Sequence, residues 1–209
     1  YRTKYPEAIS DNSYATLDIE ADVDEDELTI ISIAMKDKIF GVMTKKYIST
    51  IQDPLKQIDY YFDKYIPKHK LIDGISKEFI IVETELDAVK AVMKKAHEWK
   101  PDIIGIWNIT YDITFMINIC AKYGVDPKDI FSDPSLPEEL RYFEFKKGPD
   151  KKVTESGVTK VINFEEQWHT VICPASFYFV DSACVHRYVR VGGKTIAGGY
   201  SLSNILIQE

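Results

Sequence analysis

Three stretches near the amino terminus decide the fold: YATLDIE at residues 14–20, LTIISIAM at 28–35 and IFGVMT at 39–44. The first alternates in the two-residue period of a strand, and the other two follow after short polar breaks. Three successive strands with tight connections predict an antiparallel meander. Asp53-Pro54 then has the chemistry of a helix start, with Leu55, Ile58, Phe62 and Tyr65 on one face. Residues 79–82 read as a short extended piece. Thr84 opens a second helix, where Thr84 and Asp87 form a capping pair and Leu86, Val89, Val92, Met93 and Ala96 form the apolar stripe, until Pro101 ends it.

The run IIGIW at 103–107 is a buried strand that leads through 108–110 into a helix with Phe115, Met116, Ile119, Cys120 and Tyr123 inward and Gly124 as its stop. From 126 to 168 the character changes to Asp-Pro, Leu-Pro and charged, Gly-bearing sequence, which is read as a β-rich insertion built as a pair of hairpins. SFYFVD at 176–181 is a strand, 183–190 a short helix, and Gly192-Gly193 and Gly198-Gly199 flank a turn before a last helix begins in YSLSNILIQE at 200–209. The order predicts an α/β fold of ribonuclease H type, in which the meander is joined by parallel strands into a mixed sheet flanked by helices.

The 209 residues carry 26 basic and 33 acidic side chains, for a net charge of −7. An acidic chain does not coat duplex nucleic acid, because such binding is won by neutralising phosphates with Lys and Arg. It can still grip nucleic acid through metal ions held by carboxylates. No stretch free of Asp, Glu, Lys and Arg exceeds 14 residues, short of the ~20 apolar residues of a membrane span. Cys120, Cys173 and Cys184 form no CxxC pair and lie in apolar surroundings, which predicts reduced core thiols and a cytoplasmic protein. The chain begins at Tyr1 and stops at Glu209 inside a helical pattern, so it reads as a piece of a longer protein.

Asp18 and Glu20 are two apart on a strand and therefore project from one face. Two adjacent anions on an apolar strand repel, and either a divalent cation offsets that cost or the strand end reaches solvent, where Asp and Glu cost little. Asp112 lies at the exit of the buried strand, where open α/β sheets collect their ligand sites, although an acid in a first helical turn also has an ordinary partner in the helix dipole. Three such carboxylates suit Mg2+ or Mn2+. Asp22, Asp24 and Asp26 mimic the start of a calcium loop, but Glu27 stands where Gly is required and Ile33 where the bidentate Glu is required, so the run is read as a solvated turn. His69, His97, His169 and His186 lack zinc spacing and are read as structural or surface groups. Trp168-His169 is read as packed aromatic structure ahead of a substrate contact.

The string LDIE at 17–20 resembles the first exonuclease motif of family B DNA polymerases, and NITYD at 108–112 resembles the second. Glu83 to Leu86 and KPDIIG at 100–105 resemble the stretch before that second motif, and FYFVD at 177–181 and GYSLSNI at 199–205 resemble segments between the second and third. The flavour is that of bacteriophage members. The resemblance implies a DEDD-superfamily 3′→5′ proofreading exonuclease that hydrolyses phosphodiesters with two metal ions, Mg2+ or Mn2+. Asp18, Glu20 and Asp112 would be the catalytic metal ligands, and Asn108 and Tyr111 would hold the single-stranded DNA 3′ end. Its partners would be that DNA end and the polymerase domain of the same parent chain, with no membrane, in the host cytoplasm for a viral protein.

The third motif, Tyr-x-x-x-Asp, departs from this pattern. Tyr200 is followed four residues on by Asn204, and Asp181 is preceded by Phe177, so neither pair qualifies. Asp181 is read as structural or a helix cap, and the third motif as lying beyond Glu209, which predicts a weak or inactive fragment. Ala21 stands where some members carry Thr. Two other readings remain: a non-catalytic exonuclease-like scaffold or single-strand-binding domain, and a free-standing DEDD exonuclease.

Overall fold

The computed structural model describes residues 11–22, 24–65, 74–194 and 196–208. Its centre is a six-stranded mixed sheet. The meander comprises β1 (Tyr14–Asp22), β2 (Glu27–Met35) and β3 (Lys38–Thr44), each antiparallel to the next. Beyond β3 lies β4 (Ser76–Val82), parallel to it at one edge. On the other side β5 (Ile103–Ile106) runs parallel to β1, and β10 (Tyr178–Asp181) runs parallel to β5 at the opposite edge. The chain is thus an α/β protein with antiparallel and parallel strands in one sheet, and residues 79–82 belong to a full edge strand.

Strand alternation divides the sheet into two faces with different environments. Ala15, Leu17 and Ile19 of β1 and Ile31 and Ile33 of β2 are buried in one core. Helix α3 (Glu85–Trp99) packs across β2 and β3 and presents Leu86, Val89, Val92, Met93 and Ala96 to that core. The Thr84 hydroxyl accepts the Asp87 backbone N–H at 3.1 Å and donates to the Asp87 carboxylate at 2.7 Å, so the predicted capping pair starts this helix. Helix α4 (Ile109–Lys122) adds Ile113, Phe115, Met116, Ile119 and Cys120 to the core. Tyr123 is exposed instead of inward, since it follows the last turn, and Gly124 then takes the left-handed backbone (φ 67°) that ends the helix.

On the opposite sheet face two elements stand apart. Short α1 (Lys45–Ile48) and then α2 (Pro54–Tyr65) lie by the β2–β3–β4 half, but no residue of α2 is buried. Leu55 and Tyr65 of its predicted inward stripe are exposed, because the helix leans over the sheet without sinking into it. Over the β5 half sits α6 (Ser182–Val189), and Gly105 allows its close approach. A Cβ at 105 would stand 2.6 Å from the Ser182 hydroxyl oxygen.

Residues 126–168 are not uniformly peripheral. Short α5 (Lys128–Phe131) buries Ile130 and Phe131, and Phe131 packs on Phe143 and Phe179, with ring centroids 4.6 and 6.1 Å away. Thereafter β6 (Glu144–Lys146) pairs with β9 (Thr170–Ile172), enclosing the exposed hairpin of β7 (Lys151–Val153) and β8 (Thr159–Val161). The ladder therefore closes beyond 168. The last helix, α7 (Leu202–Gln208), starts after Tyr200, whose buried phenol donates to the Lys194 carbonyl at 2.6 Å.

Candidate active site

Parallel pairing of β1 with β5 brings their carboxyl ends to the same edge of the molecule, and this edge gathers the acidic residues. Asp18 and Glu20 project from the face opposite the buried Leu17 and Ile19. Just past Glu20 the β1–β2 register slips: Glu20 faces Ile30, whereas Ala21 faces Leu28. Thr29 is the extra residue of this bulge, and its buried hydroxyl donates to the Glu20 carbonyl at 2.7 Å. Sequence reasoning missed Thr29, since a register slip is a property of two strands and leaves no mark on either alone.

Asp112 enters from the first turn of α4 and is only 3% exposed. Its helix is started by Asn108, whose side-chain oxygen accepts the Tyr111 backbone N–H at 3.4 Å. Asn108 thereby has a structural task at the mouth of the site. Burial pushes the Asp112 carboxyl up to about 7, and the negative charge of Asp18 adds to the rise against the opposing backbone N–H of Ile19. Asp18 is itself raised by burial and by Glu20. Tyr111, half exposed and packed on Phe115 at 5.9 Å between centroids, has its phenol raised by burial and then by Asp112, Asp26 and Glu20. These mutual influences make Asp18, Glu20, Tyr111 and Asp112 electrostatic neighbours.

Asp112 and Asp18, which resist ionisation because of burial first and neighbouring negative charge second, have hard oxygens that fit a divalent cation of the Mg2+ or Mn2+ type, which would restore their charged forms. Among the described residues, no three His, Cys, Asp or Glu side chains already stand close enough together to hold one ion. The acids are neighbours and not a closed cage.

The site lies between the two elements of its sheet face. Asp18 is the cross-strand partner of Ser32, on the side that leads to α2, and Thr16 is the partner of Gly105, on the side that leads to α6. Trp107 anchors the α6 side: its indole N–H donates to the Tyr200 carbonyl at 3.0 Å, and its ring meets His186 at 5.7 Å.

The remaining sequence candidates have structural tasks. Asp181 is buried and caps α6 by accepting the Cys184 backbone N–H at 3.2 Å. The Asn204 amide donates to the Ala197 and Gly199 carbonyls at 2.9 and 2.7 Å, latching the glycine turn. The Asp22 carboxylate accepts the Asp24 and Glu25 backbone N–H groups, which makes the acidic run a local turn. His97 packs on Phe177 at 5.1 Å, and His169 is buried with Nδ1 accepting the Gly148 N–H at 3.1 Å. Trp168 is half exposed, has a left-handed backbone (φ 51°) and meets Tyr188 edge-on at 6.2 Å. His69 lies outside the described residues. The three cysteines are unpaired. No described helix is long and apolar enough to cross a membrane.

No family model and no curated protein sequence matches this chain.

Proposed function

We propose that the chain is the 3′→5′ proofreading exonuclease domain of a family B DNA polymerase of bacteriophage type, built on a ribonuclease H-like core. The observation that carries this reading is the electrostatic influence of Asp18 and Glu20, on one face of β1, upon Asp112 in the first turn of the helix after the adjacent parallel strand. The strand order supports it: a meander, β3-β2-β1, extended on its β1 side by two parallel strands, β5 and β10.

In this reading Asp18, Glu20 and Asp112 hold Mg2+ or Mn2+, and half-exposed Tyr111 offers its ring to the single-stranded DNA 3′ end. Two such ions would lower the pKa of a water and stabilise the charged in-line transition state. The chain contributes the charge that holds them, the bulge that aims Glu20 and the helix start that carries Asp112. A fourth acidic ligand has to come from a segment other than those around Tyr200 and Asp181. The domain works beside the polymerase part of its parent chain, in the host cytoplasm.

The test is Asp18→Ala and Asp112→Ala in the parent polymerase. Both variants are expected to keep primer extension and lose removal of a mismatched 3′ nucleotide; unchanged excision by both overturns the reading. Calorimetry on the 209-residue chain gives a second measure, with Mn2+ uptake expected in the wild type and lost in Asp112→Asn.

A further inference from the structure

Glu85 is only 7% exposed, and a buried carboxylate is costly unless its oxygens find partners. The helix start does not require it, because Thr84 and Asp87 already form the cap of α3. Its partners lie on two other elements. One oxygen accepts the Leu28 backbone N–H of β2 at 2.9 Å, and the other meets the Lys122 ammonium of α4 at 2.6 Å. The Leu28 carbonyl in turn accepts the Thr44 hydroxyl at 3.0 Å. The β2–β3 ladder has its last pair at Ile30 and Met43, so the side chains of Glu85 and Thr44 hold the backbone at Leu28 where no β3 residue does. From there the line of bonds is short. Thr29, the extra residue of the bulge, follows Leu28, and its hydroxyl holds the Glu20 carbonyl at 2.7 Å.

The second arm reaches the helix that carries Asp112, which stands in the first turn of α4 while Lys122 stands in its last. Between the β1–β2 turn and α4 lies a cavity of about 230 Å3, lined by Asp26, Glu85, Phe115, Asn118, Ile119 and Lys122. Packing alone leaves the spacing of these elements unset at this point, and the Glu85–Lys122 ion pair sets it. We propose that Glu85 is a positioning residue of the metal site, a single carboxylate that fixes the separation of Glu20, reached through the bulge, from Asp112, reached through α4. The inference rests on the nuclease reading above and gives a task within it to a residue outside the acidic trio.

The test uses the 209-residue chain at a temperature where thermal melts show the variants folded. Glu85→Gln keeps an acceptor for Leu28 and drops the charge that holds Lys122, and Lys122→Met removes the same arm from the other side. Both are expected to weaken Mn2+ binding, read by calorimetry, about tenfold, the low end of what groups supporting metal ligands contribute. Glu85→Ala loses both arms and should weaken it more. A double-mutant cycle with Glu20→Gln separates positioning from mere stabilisation. Once Glu20 is no longer an anionic ligand, its spacing from Asp112 has little to act on, so adding Glu85→Gln should weaken Mn2+ binding less than about twofold. A residue that only stabilises the fold lowers the melting temperature and leaves the Mn2+ affinity of the folded chain unchanged.

Unchanged Mn2+ affinity in folded Glu85→Gln or Lys122→Met, or a loss from Glu85→Gln of the same size in the Glu20→Gln background, overturns the proposal while leaving wild-type Mn2+ uptake and excision in place. Should Glu85→Ala unfold, the two milder variants and the cycle still decide. A wild type that takes up no Mn2+ overturns the nuclease reading and this proposal together.

Discussion

The Thr29 hydroxyl donates a 2.7 Å hydrogen bond to the backbone carbonyl of Glu20, pinning the bulge that ends the acidic strand. Thr29→Val keeps the shape and removes the donor. It is expected to cost about 1–2 kcal/mol, the usual worth of a buried hydrogen bond with its partner left behind. Urea unfolding measures that loss. A larger proportional fall in Mn2+ affinity, seen by calorimetry at a temperature where the variant is fully folded, is expected because Glu20 loses its aim.

Asp112 sets a pH dependence of known sign. Its folded-state value of about 7 lies above the ordinary 3.8, so the folded chain binds the extra proton between those limits and stability falls as pH rises through that window. Asp112→Asn removes the penalty. It should stabilise the protein on the order of 2–4 kcal/mol at pH 8 and change little near pH 4, in denaturant titrations without divalent ions. Millimolar Mn2+ should narrow the gap at pH 8 by stabilising the wild type alone.

His97 works in the opposite direction. Burial lowers its pKa below 6.5, against the opposing carbonyls of Ile130 and Phe131 and the charge of Asp133. The unfolded chain therefore binds the proton first, and stability is lost as pH falls through 6.5 towards the lowered value. The melting temperature of His97→Gln is expected to rise relative to the wild type between pH 7 and pH 5. A constant difference over that range would count against the neutral buried ring.

Glu85 is buried at the start of α3, accepts the Leu28 backbone N–H at 2.9 Å and pairs with Lys122 of α4 at 2.6 Å. One carboxylate thus joins β2, α3 and α4. Glu85→Ala leaves a buried N–H without its acceptor and should cost about 2–4 kcal/mol in urea unfolding. Glu85→Gln keeps an acceptor and should cost about 1 kcal/mol.

The elements that were legible in the sequence are those whose signals are local. The stripe and Thr84 cap of α3 and the alternation of β1 each follow from residues within a few positions of one another. That Asp18 and Glu20 share one face of β1 was legible for the same reason. What depends on depth or on distant pairing was not. The pattern in α2 marks which side is apolar without saying how far the helix sinks, so Leu55 and Tyr65 end exposed. The partner of β6 is β9, across an enclosed hairpin, and no local pattern announces such a pairing. The cavity between α2 and the sheet is a gap between elements, and a gap has no residues of its own.

With no buried residue, α2 is tied to the sheet by its Phe62 ring, 6.3 Å from that of Phe79, and by Lys77 of β4. This cation pairs with Asp59 and Asp63 at 3.3 and 2.8 Å and lies 5.1 Å from the Phe62 ring centroid. Ions in the medium screen the two exposed carboxylates while the aliphatic floor of the sheet is indifferent to them. The helix is therefore held partly by charge and partly by ring packing, and ionic strength acts on the first of these alone.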